Sequence, residues 1–218
     1  MRFAGRCIPA VAVGGDYFGY FPRGFNAVDS LIGDVSGHGV GAALLMAEAR
    51  TTFMAETLVA TSAAQILGSL NDLLYHDLDR ANHFMSACCA TFDAVARELT
   101  YANAGHPPAM LLRADGTSCR LLDADGMLLG IKKGASFAET KTTLHAGDIV
   151  VFYTDGITET SNEDGDLFGI ERLGRAVVAY RDEDPERLID NVLAVVDRFA
   201  GLRQHDDDMT VVAMKLTG

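Results

Sequence analysis

The 218-residue chain carries a formal net charge of −12, and 49% of its residues are hydrophobic and 22% charged. This composition is typical of a soluble globular protein. The acidic balance argues against nucleic acid or an anionic membrane as a partner, and it is compatible with cation binding. No apolar run reaches the roughly 18 residues of a membrane span, and the first residues do not resemble a signal peptide. We therefore expect a cytoplasmic protein.

The first 80 residues predict three strands followed by two helices. Strands are expected over residues 2–13, 17–21 and about 26–35, with Pro22-Arg23-Gly24 as the turn between the second and third. The first helix is expected over about 40–58. The second is expected to begin at Ser62, where Ser62 and Gln65 have the spacing of a capping box. Because two consecutive helices stand between groups of strands, the pattern favours a layered α+β fold over alternating βαβ units.

The middle of the chain predicts six short strands between residues 84 and 154, joined by hairpin-like turns into an antiparallel meander. A polar loop and two helices follow, and the last helix is expected to begin with Asp184 as N-cap and Pro185 in its first turn. A final strand is expected over 209–216. Since no repeat or Pro/Ser-rich linker divides the chain, we expect residues 1–218 to form a single domain.

Acidic residues mark the ends of four predicted strands. If those ends converge, they form a cluster of oxygen ligands of the kind that Mg²⁺ or Mn²⁺ prefers, and clustered carboxylates need a cation to offset their repulsion. Two ions that share one Asp can activate a water molecule for an in-line phosphoryl displacement. The residues alone therefore predict a metal-dependent phosphohydrolase. The four positions are Gly15-Asp16, Gly33-Asp34, Asp155-Gly156 and Asp206-Asp207-Asp208.

Five motifs, in this order along nearly the whole chain, resemble the bacterial branch of the metal-dependent serine/threonine protein phosphatases, the PPM class of the stage II sporulation protein E type. The resemblance implies an α+β fold, a four-layer α-β-β-α sandwich whose two antiparallel sheets are covered by helix pairs. The motifs are Gly14-Gly15-Asp16-Tyr17, Gly33 to Gly39 with Ala42 to Met46, Asn103-Ala104-Gly105-His106-Pro107, Tyr153 to Glu159, and Asp207-Asp208-Met209-Thr210.

The resemblance also implies roles for individual residues. Asp34 resembles the carboxylate that bridges two ions, and the Val35 carbonyl would bind one of them. Asp155 and Asp207 would hold the other ion, and Asp16 would serve the site directly or through water. Asp34 and Asp155 are thus the expected catalytic residues, and a metal-bridging water is the implied nucleophile. Asp207 is selected by its spacing from Met209-Thr210, with Asp206 or Asp208 as the alternatives if the strand register shifts.

Three further positions bear on catalysis. The eukaryotic members of this class place a phosphate-binding Arg five residues before the first metal Asp. This chain has Val11 there, so phosphate binding is expected to rest mainly on the metals. His38 and His106 could protonate the leaving group, but each lies in a glycine-flanked loop where a structural hydrogen bond is the favoured role. Both are left out of the catalytic set.

The resulting prediction is an Mn²⁺- or Mg²⁺-dependent phosphatase that binds two ions and acts on phosphoserine or phosphothreonine in a protein. The resemblance implies an anti-anti-sigma-type regulator as substrate, and hence a role in sigma-factor control. Because the chain begins close to its first strand, an N-terminal sensor or receiver domain is expected outside it. The sequence does not decide whether the chain forms a homodimer. A partner or dimer contact on the two helices between residues 39 and 79 could move Asp34 and so regulate activity.

Two other functions stay open. A non-catalytic phosphoprotein-binding module of the same fold is disfavoured because all four Asp positions are filled. A small-molecule phosphohydrolase is weakened by the absence of a P-loop and of basic patches for a nucleotide.

Overall fold

The computed structural model describes residues 1–37 and 39–217. His38, whose role the sequence left open, lies outside the described residues. No helix within those residues is long and apolar enough to cross a membrane. In chain order the elements are β1 (Arg2–Ile8), β2 (Asp16–Arg23), β3 (Ala27–Val35), α1 (Val40–Glu56), α2 (Ala63–Ala81), β4 (Met85–Asp93), β5 (Glu98–Ala104), β6 (Ala109–Leu112), β7 (Cys119–Leu122), β8 (Thr140–Thr143), β9 (Ile149–Tyr153), α3 (Asp155–Glu159), α4 (Gly169–Ala179), α5 (Pro185–Ala200) and β10 (Met209–Lys215).

The chain contributes alternating segments to two compact units. The first unit contains Met1–Ala10, Ala109–Leu122 and residues 145–217, and the second contains Val11–Pro108 and Asp123–Leu144. Each unit has one five-stranded sheet, with the order β1-β10-β9-β6-β7 in the first and β2-β3-β4-β5-β8 in the second. The strand pairings in both sheets are antiparallel. The predicted α+β class with two antiparallel sheets is therefore confirmed.

Each sheet carries a pair of helices over one apolar core. In the first unit, α4 and α5 bury residues such as Leu173 and Val192 against β9 and β10. In the second unit, α1 and α2 bury residues such as Phe53 and Leu70 against β3 and β4. The helix pairs implied by the resemblance are thus present in both units.

The predicted helix starts agree with the structure. The Ser62 side chain caps α2 by accepting from Gln65 N at 3.3 Å. The Gln65 side chain returns to Thr61 N at 2.8 Å, one residue earlier than a capping box requires. Asp184 caps α5 by accepting from Arg187 N at 3.0 Å, and Pro185 occupies the first turn.

Two predicted strands have different bounds in the structure. β1 ends at Ile8, not at residue 13, because Pro9 has no N–H to continue a ladder. β2 runs on to Arg23 through the predicted turn residue Pro22. This is possible because β2 is an edge strand. A proline is tolerated where its nitrogen faces the open side of the sheet, since no neighbouring strand needs a hydrogen bond from it.

The predicted meander between residues 84 and 154 is wrong. The six strands pair antiparallel, but β4, β5 and β8 join the sheet of the second unit, whereas β6, β7 and β9 join the sheet of the first. The chain leaves one sheet at Asn103–Pro107 and returns to it after Leu122. Hairpin-like turns predict which strands are antiparallel, but they do not predict which sheet receives them.

Candidate functional site

The β2–β3 hairpin places two predicted metal ligands side by side. Asp16 is the register partner of Asp34, and directly opposite residues of an antiparallel pair project from the same face. Asp16 is 5% exposed and Asp34 is half-buried. Like charges directly opposite one another are destabilising, and a bound cation offsets that repulsion. The pair therefore fits a hard divalent cation, which prefers carboxylate oxygens.

Gly15 brings the backbone close to this pair. Val35 N donates to Gly15 O at 3.2 Å. A Cβ at Gly15 would lie 2.4 Å from the Val35 carbonyl oxygen and 3.4 Å from Asp34 Oδ1. Since real side chains do not approach a backbone oxygen so closely, only glycine allows Val35 and Asp34 to occupy these places. The Val35 carbonyl oxygen and Asp34 Oδ1 thus both lie close to Gly15, the residue that precedes Asp16.

Tyr17, the residue after Asp16, is paired with a cation on α1. Burial raises the pKa of the Tyr17 phenol, and the neighbouring Arg50 guanidinium opposes this shift. The phenol therefore stays neutral at physiological pH, and as the next residue of β2 it projects from the opposite face of the sheet to Asp16.

The neighbouring strand extends the row of polar side chains. Ser86 of β4 is the register partner of Asp34, and its hydroxyl lies 2.8 Å from His106 Nδ1. His106 is 5% exposed. Asn103 holds it with two bonds, since Asn103 Oδ1 accepts from His106 N at 2.7 Å and Asn103 Nδ2 donates to His106 O at 2.8 Å. His106 thus has the hydrogen-bonded setting that the sequence favoured.

His83 was missed by the sequence analysis, although it holds the loop that follows β3. Its Nδ1 lies 2.6 Å from Ser36 O and 3.3 Å from Ser36 Oγ. The same connection from α2 to β4 supplies Phe84, whose carbonyl accepts from Ser36 N at 2.9 Å. No motif marks His83, because it is 47 residues from Ser36 in the chain. Only its position just before the strand predicted to begin at residue 84 could have drawn attention to it.

The first unit holds the other two predicted ligands near one end of its sheet. Asp155 is the first residue of α3, directly after β9. Thr154 ties this end of β9 to β10, because Thr154 N donates to Thr210 O at 3.0 Å and Thr210 N donates to Thr154 Oγ1 at 2.9 Å. A Cβ at Gly156 would lie 2.0 Å from Asp208 O and 3.5 Å from the carbonyl carbon of Asp207. The glycine therefore lets the first turn of α3 contact the Asp207–Asp208 backbone.

The three consecutive aspartates differ in their surroundings. Asp208 is 3% exposed, and its Oδ1 accepts from Ala10 N at 2.8 Å. The Asp206 side chain is 78% exposed and pairs with Arg203 at 3.5 Å. Asp207 is exposed, with its Oδ1 accepting from Asp208 N at 2.8 Å. Asp208 thus anchors the segment after β1, whereas Asp207 keeps its side chain at the surface of the unit.

The predicted ligand set is divided between the units. Asp16, Asp34 and Val35 belong to the second unit, and Asp155 and Asp207 belong to the first. Among residues 1–37 and 39–217, no three or more His, Cys, Asp or Glu side chains form a group that could hold a metal ion. The two predicted ligands that the strand pairing places opposite one another are Asp16 and Asp34.

Comparison with known proteins agrees with this fold and these motifs. Residues 26–217 match the family model described as stage II sporulation protein E (SpoIIE). The chain is 27% identical over 207 residues to the phosphoserine phosphatase RsbU of Bacillus subtilis (strain 168), covering 94% of this chain and 60% of RsbU. The chain therefore spans about three fifths of that relative's length.

Two solved structures share the fold. The structure of the RsbU and RsbW domains of Rv1364c from Mycobacterium tuberculosis is similar with a TM-score of 0.86 and 27% identity, covering 99% of this chain and 60% of that one. The SiaA-PP2C domain of Pseudomonas aeruginosa has a TM-score of 0.88 at 22% identity, covering 98% and 85% of the two chains. Since the family model matches most of the sequence, the chain belongs to the SpoIIE family, the bacterial branch of the PPM class of protein phosphatases that its motifs resemble.

Proposed function

We propose that this chain is the catalytic domain of a divalent-cation-dependent protein phosphatase, in which the two units act as one domain. The observation that carries the proposal is the pair of carboxylates, Asp16 and Asp34, held opposite one another beside the Val35 carbonyl. Such a pair is unfavourable without a cation. It occurs in a chain of the SpoIIE family, and the relative RsbU is named a phosphoserine phosphatase.

The proposed ligands of two Mn²⁺ or Mg²⁺ ions are Asp16, Asp34, the Val35 carbonyl, Asp155 and Asp207, with Asp34 shared between the ions. When bound, such ions supply an activated water as nucleophile and neutralise charge on the phosphoryl oxygens. Gly15 and Gly156 keep the backbone close to these ligands. The bond of Asp208 to Ala10 N and the ion pair of Asp206 with Arg203 favour Asp207 as the ligand among the three aspartates.

The proposed substrate is phosphoserine or phosphothreonine on a regulatory protein of the anti-anti-sigma type. RsbU, to which 94% of this chain aligns, is named a phosphoserine phosphatase. The similar structure from Mycobacterium tuberculosis joins an RsbU domain to an RsbW domain. We infer from these neighbours a role in sigma-factor control. A sensor or receiver domain on the same protein would supply the input.

Hydrolysis of a phosphoserine peptide and of p-nitrophenyl phosphate, with and without Mn²⁺, tests the proposal. We expect Mn²⁺-dependent hydrolysis by the wild type. Asp34→Asn and Asp155→Asn should each lower it by at least about 100-fold, because loss of a direct ligand exceeds the 10–100-fold effect of outer-shell changes. Asp115→Asn, an exposed position in the β6–β7 loop, is the matched control and should keep full activity.

Three results would contradict the proposal. Hydrolysis by the wild type that equals that of Asp34→Asn would overturn the enzymatic function. Binding of the phosphopeptide without its hydrolysis would favour the non-catalytic module. Faster release of phosphate from ATP than from the peptide would favour a small-molecule phosphohydrolase.

A further inference from the structure

The regular backbone hydrogen bonding between β3 and β4 ends at Ser36, the residue after the proposed ligand Val35. Ser36 N donates to Phe84 O at 2.9 Å, as an antiparallel ladder requires. The return bond from Phe84 N goes to the Ser36 hydroxyl at 3.0 Å and not to the Ser36 carbonyl. The Ser36 carbonyl is thereby available to a different donor.

That donor is the imidazole of His83. Its Nδ1 lies 2.6 Å from Ser36 O. Because a carbonyl oxygen only accepts hydrogen bonds, Nδ1 carries the proton in this contact. His83 therefore supplies to the loop the bond that Phe84 would supply if the strands continued in regular pairing.

The surrounding backbone is shaped to receive the ring. Asn82, the C-cap of α2, has a left-handed φ of 56°, and His83 N donates back to Leu78 O at 2.9 Å. On the loop side, a Cβ at Gly37 would lie 3.2 Å from His83 Cε1, and Gly37 has a φ of +82°. A larger residue at position 37 would press against the ring and strain the backbone. The contact thus links the C-terminal end of α2 to the loop between β3 and α1.

The Ser36 contacts determine where the Val35 carbonyl points. The Val35 carbonyl and the Ser36 N–H belong to one planar trans peptide, so they point in opposite directions. Since Ser36 N–H points at Phe84 of the β4 side, the Val35 oxygen points away from it, toward Gly15. His83 holds the Ser36 carbonyl, which belongs to the next peptide along the chain, and so restrains the backbone on the C-terminal side of the Val35–Ser36 peptide.

We propose that His83 is a positioning residue for the cation site, acting through Ser36 to fix the direction of the Val35 carbonyl. The inference rests on the proposed function, because it assumes that Val35 and Asp34 bind the cation. In this role His83 is not itself a ligand. Outer-shell groups of this kind typically change metal affinity by 10–100-fold when they are removed.

The test is Mn²⁺ binding to the whole chain, measured by isothermal titration calorimetry, together with activity as a function of Mn²⁺ concentration. His83→Ala should weaken Mn²⁺ binding about 10-fold or more, and activity should recover at saturating Mn²⁺. His83→Asn should restore most of the affinity, because its amide nitrogen takes the place of Nδ1. His83→Gln should not, because its amide reaches the place of Nε2. His76→Ala, an exposed histidine on α2, is the matched control with unchanged affinity.

Thermal unfolding of each variant separates binding from folding, and the Asn and Gln variants decide the outcome if the Ala variant does not fold. Equal Mn²⁺ affinity in the wild type, His83→Asn and His83→Gln would overturn the inference while leaving the proposed function intact. A folded wild type that binds no Mn²⁺ would overturn both.

Discussion

The two halves of the proposed ligand set are held by different structural means. In the second unit, Asp16 and Asp34 occupy opposite positions on paired strands, so the ladder itself sets their separation. In the first unit, Asp155 begins a five-residue helix and Asp207 lies in a bend before β10. Their placement depends on Thr154, Thr210 and the close contact at Gly156.

This difference indicates which substitutions each half tolerates. A ladder consists of backbone hydrogen bonds, so it survives a change of side chain at the ligand position. A helix start packed on a bend depends on a few side chains and on one glycine. The first unit should therefore lose its fold more easily by a single substitution, and the second should lose metal affinity without losing its fold.

The largest effect is expected for Gly156→Ala. The new Cβ would lie 2.0 Å from Asp208 O, and α3 would have to move away from the Asp207–Asp208 backbone. We expect a loss of about 3 kcal/mol in the free energy of unfolding, the upper part of the range for overpacking. Urea denaturation measures this loss.

Gly68 and Gly15 are the matching glycines of the second unit. Gly68 lies in α2, and among the described residues a Cβ there would meet no atom within 4 Å beyond its own helix backbone. Gly68→Ala should therefore stabilise the chain by about 0.5–1 kcal/mol.

Gly15→Ala should displace the Val35 carbonyl and weaken Mn²⁺ binding about 10-fold, with a smaller loss of stability than Gly156→Ala. A larger loss of stability for Gly15→Ala would reverse the contrast between the two units.

The next effect concerns the three consecutive aspartates. Asp207→Asn should lower Mn²⁺ affinity by at least about 10-fold with little change in stability. Asp208→Ala should instead lower the free energy of unfolding by about 2 kcal/mol, because Ala10 N loses a bond to a charged acceptor. Asp206→Asn removes only an exposed ion pair and should change neither quantity appreciably. Calorimetric titration with Mn²⁺ and urea denaturation separate the three.

If Asp206→Asn lost Mn²⁺ affinity while Asp207→Asn kept it, the ligand would be Asp206. A loss of affinity in Asp208→Ala that exceeds the loss in Asp207→Asn would assign the ligand to Asp208.

The smallest expected effect concerns the helix caps, because the cap of α5 titrates and the cap of α2 does not. A backbone hydrogen bond from Arg187 lowers the pKa of the Asp184 carboxyl below its ordinary value of 3.8. Because the pKa is lower in the folded state, the cap stabilises the chain fully above the unfolded-state value, and this contribution is lost as the pH falls through the folded-state value. Ser62, the cap of α2, does not titrate.

Asp184→Ser should therefore gain stability relative to the wild type as the pH falls below about 4, whereas the two should differ little at neutral pH. Thermal unfolding at several pH values gives the difference, in which the other titrating groups cancel. A difference that is independent of pH would mean that the Asp184 carboxylate does not hold the cap.

The features of the fold and of the candidate site that could be predicted from the sequence are those with local signals. The caps at Ser62 and Asp184 and the antiparallel pairing follow from short patterns of residues. Asp16 and Asp34 followed from a hairpin with one carboxylate on each strand. The close approach of the backbone at Gly15 and Gly156 is seen only in the structure.

The parts that could not be predicted depend on contacts between distant residues. The assignment of β6, β7 and β9 to a different sheet from β4, β5 and β8 has no local signal, because turn residues indicate antiparallel pairing without specifying the sheet that each strand joins. His83 reaches Ser36 across 47 residues, and Asp208 reaches Ala10 across 198. A single sequence carries no record of such pairs.

The pairing of β1 with β10 has a consequence for biosynthesis. β10 lies between β1 and β9, and its register joins Arg2 to Lys215. The second unit has four of its five strands once Ala104 has emerged from the ribosome. The first unit must keep β1 unpaired until β10 has been translated. Until then the edge of the apolar strand β9 that β10 will cover stays open, and this edge is the part of the nascent polypeptide that chaperones would need to shield.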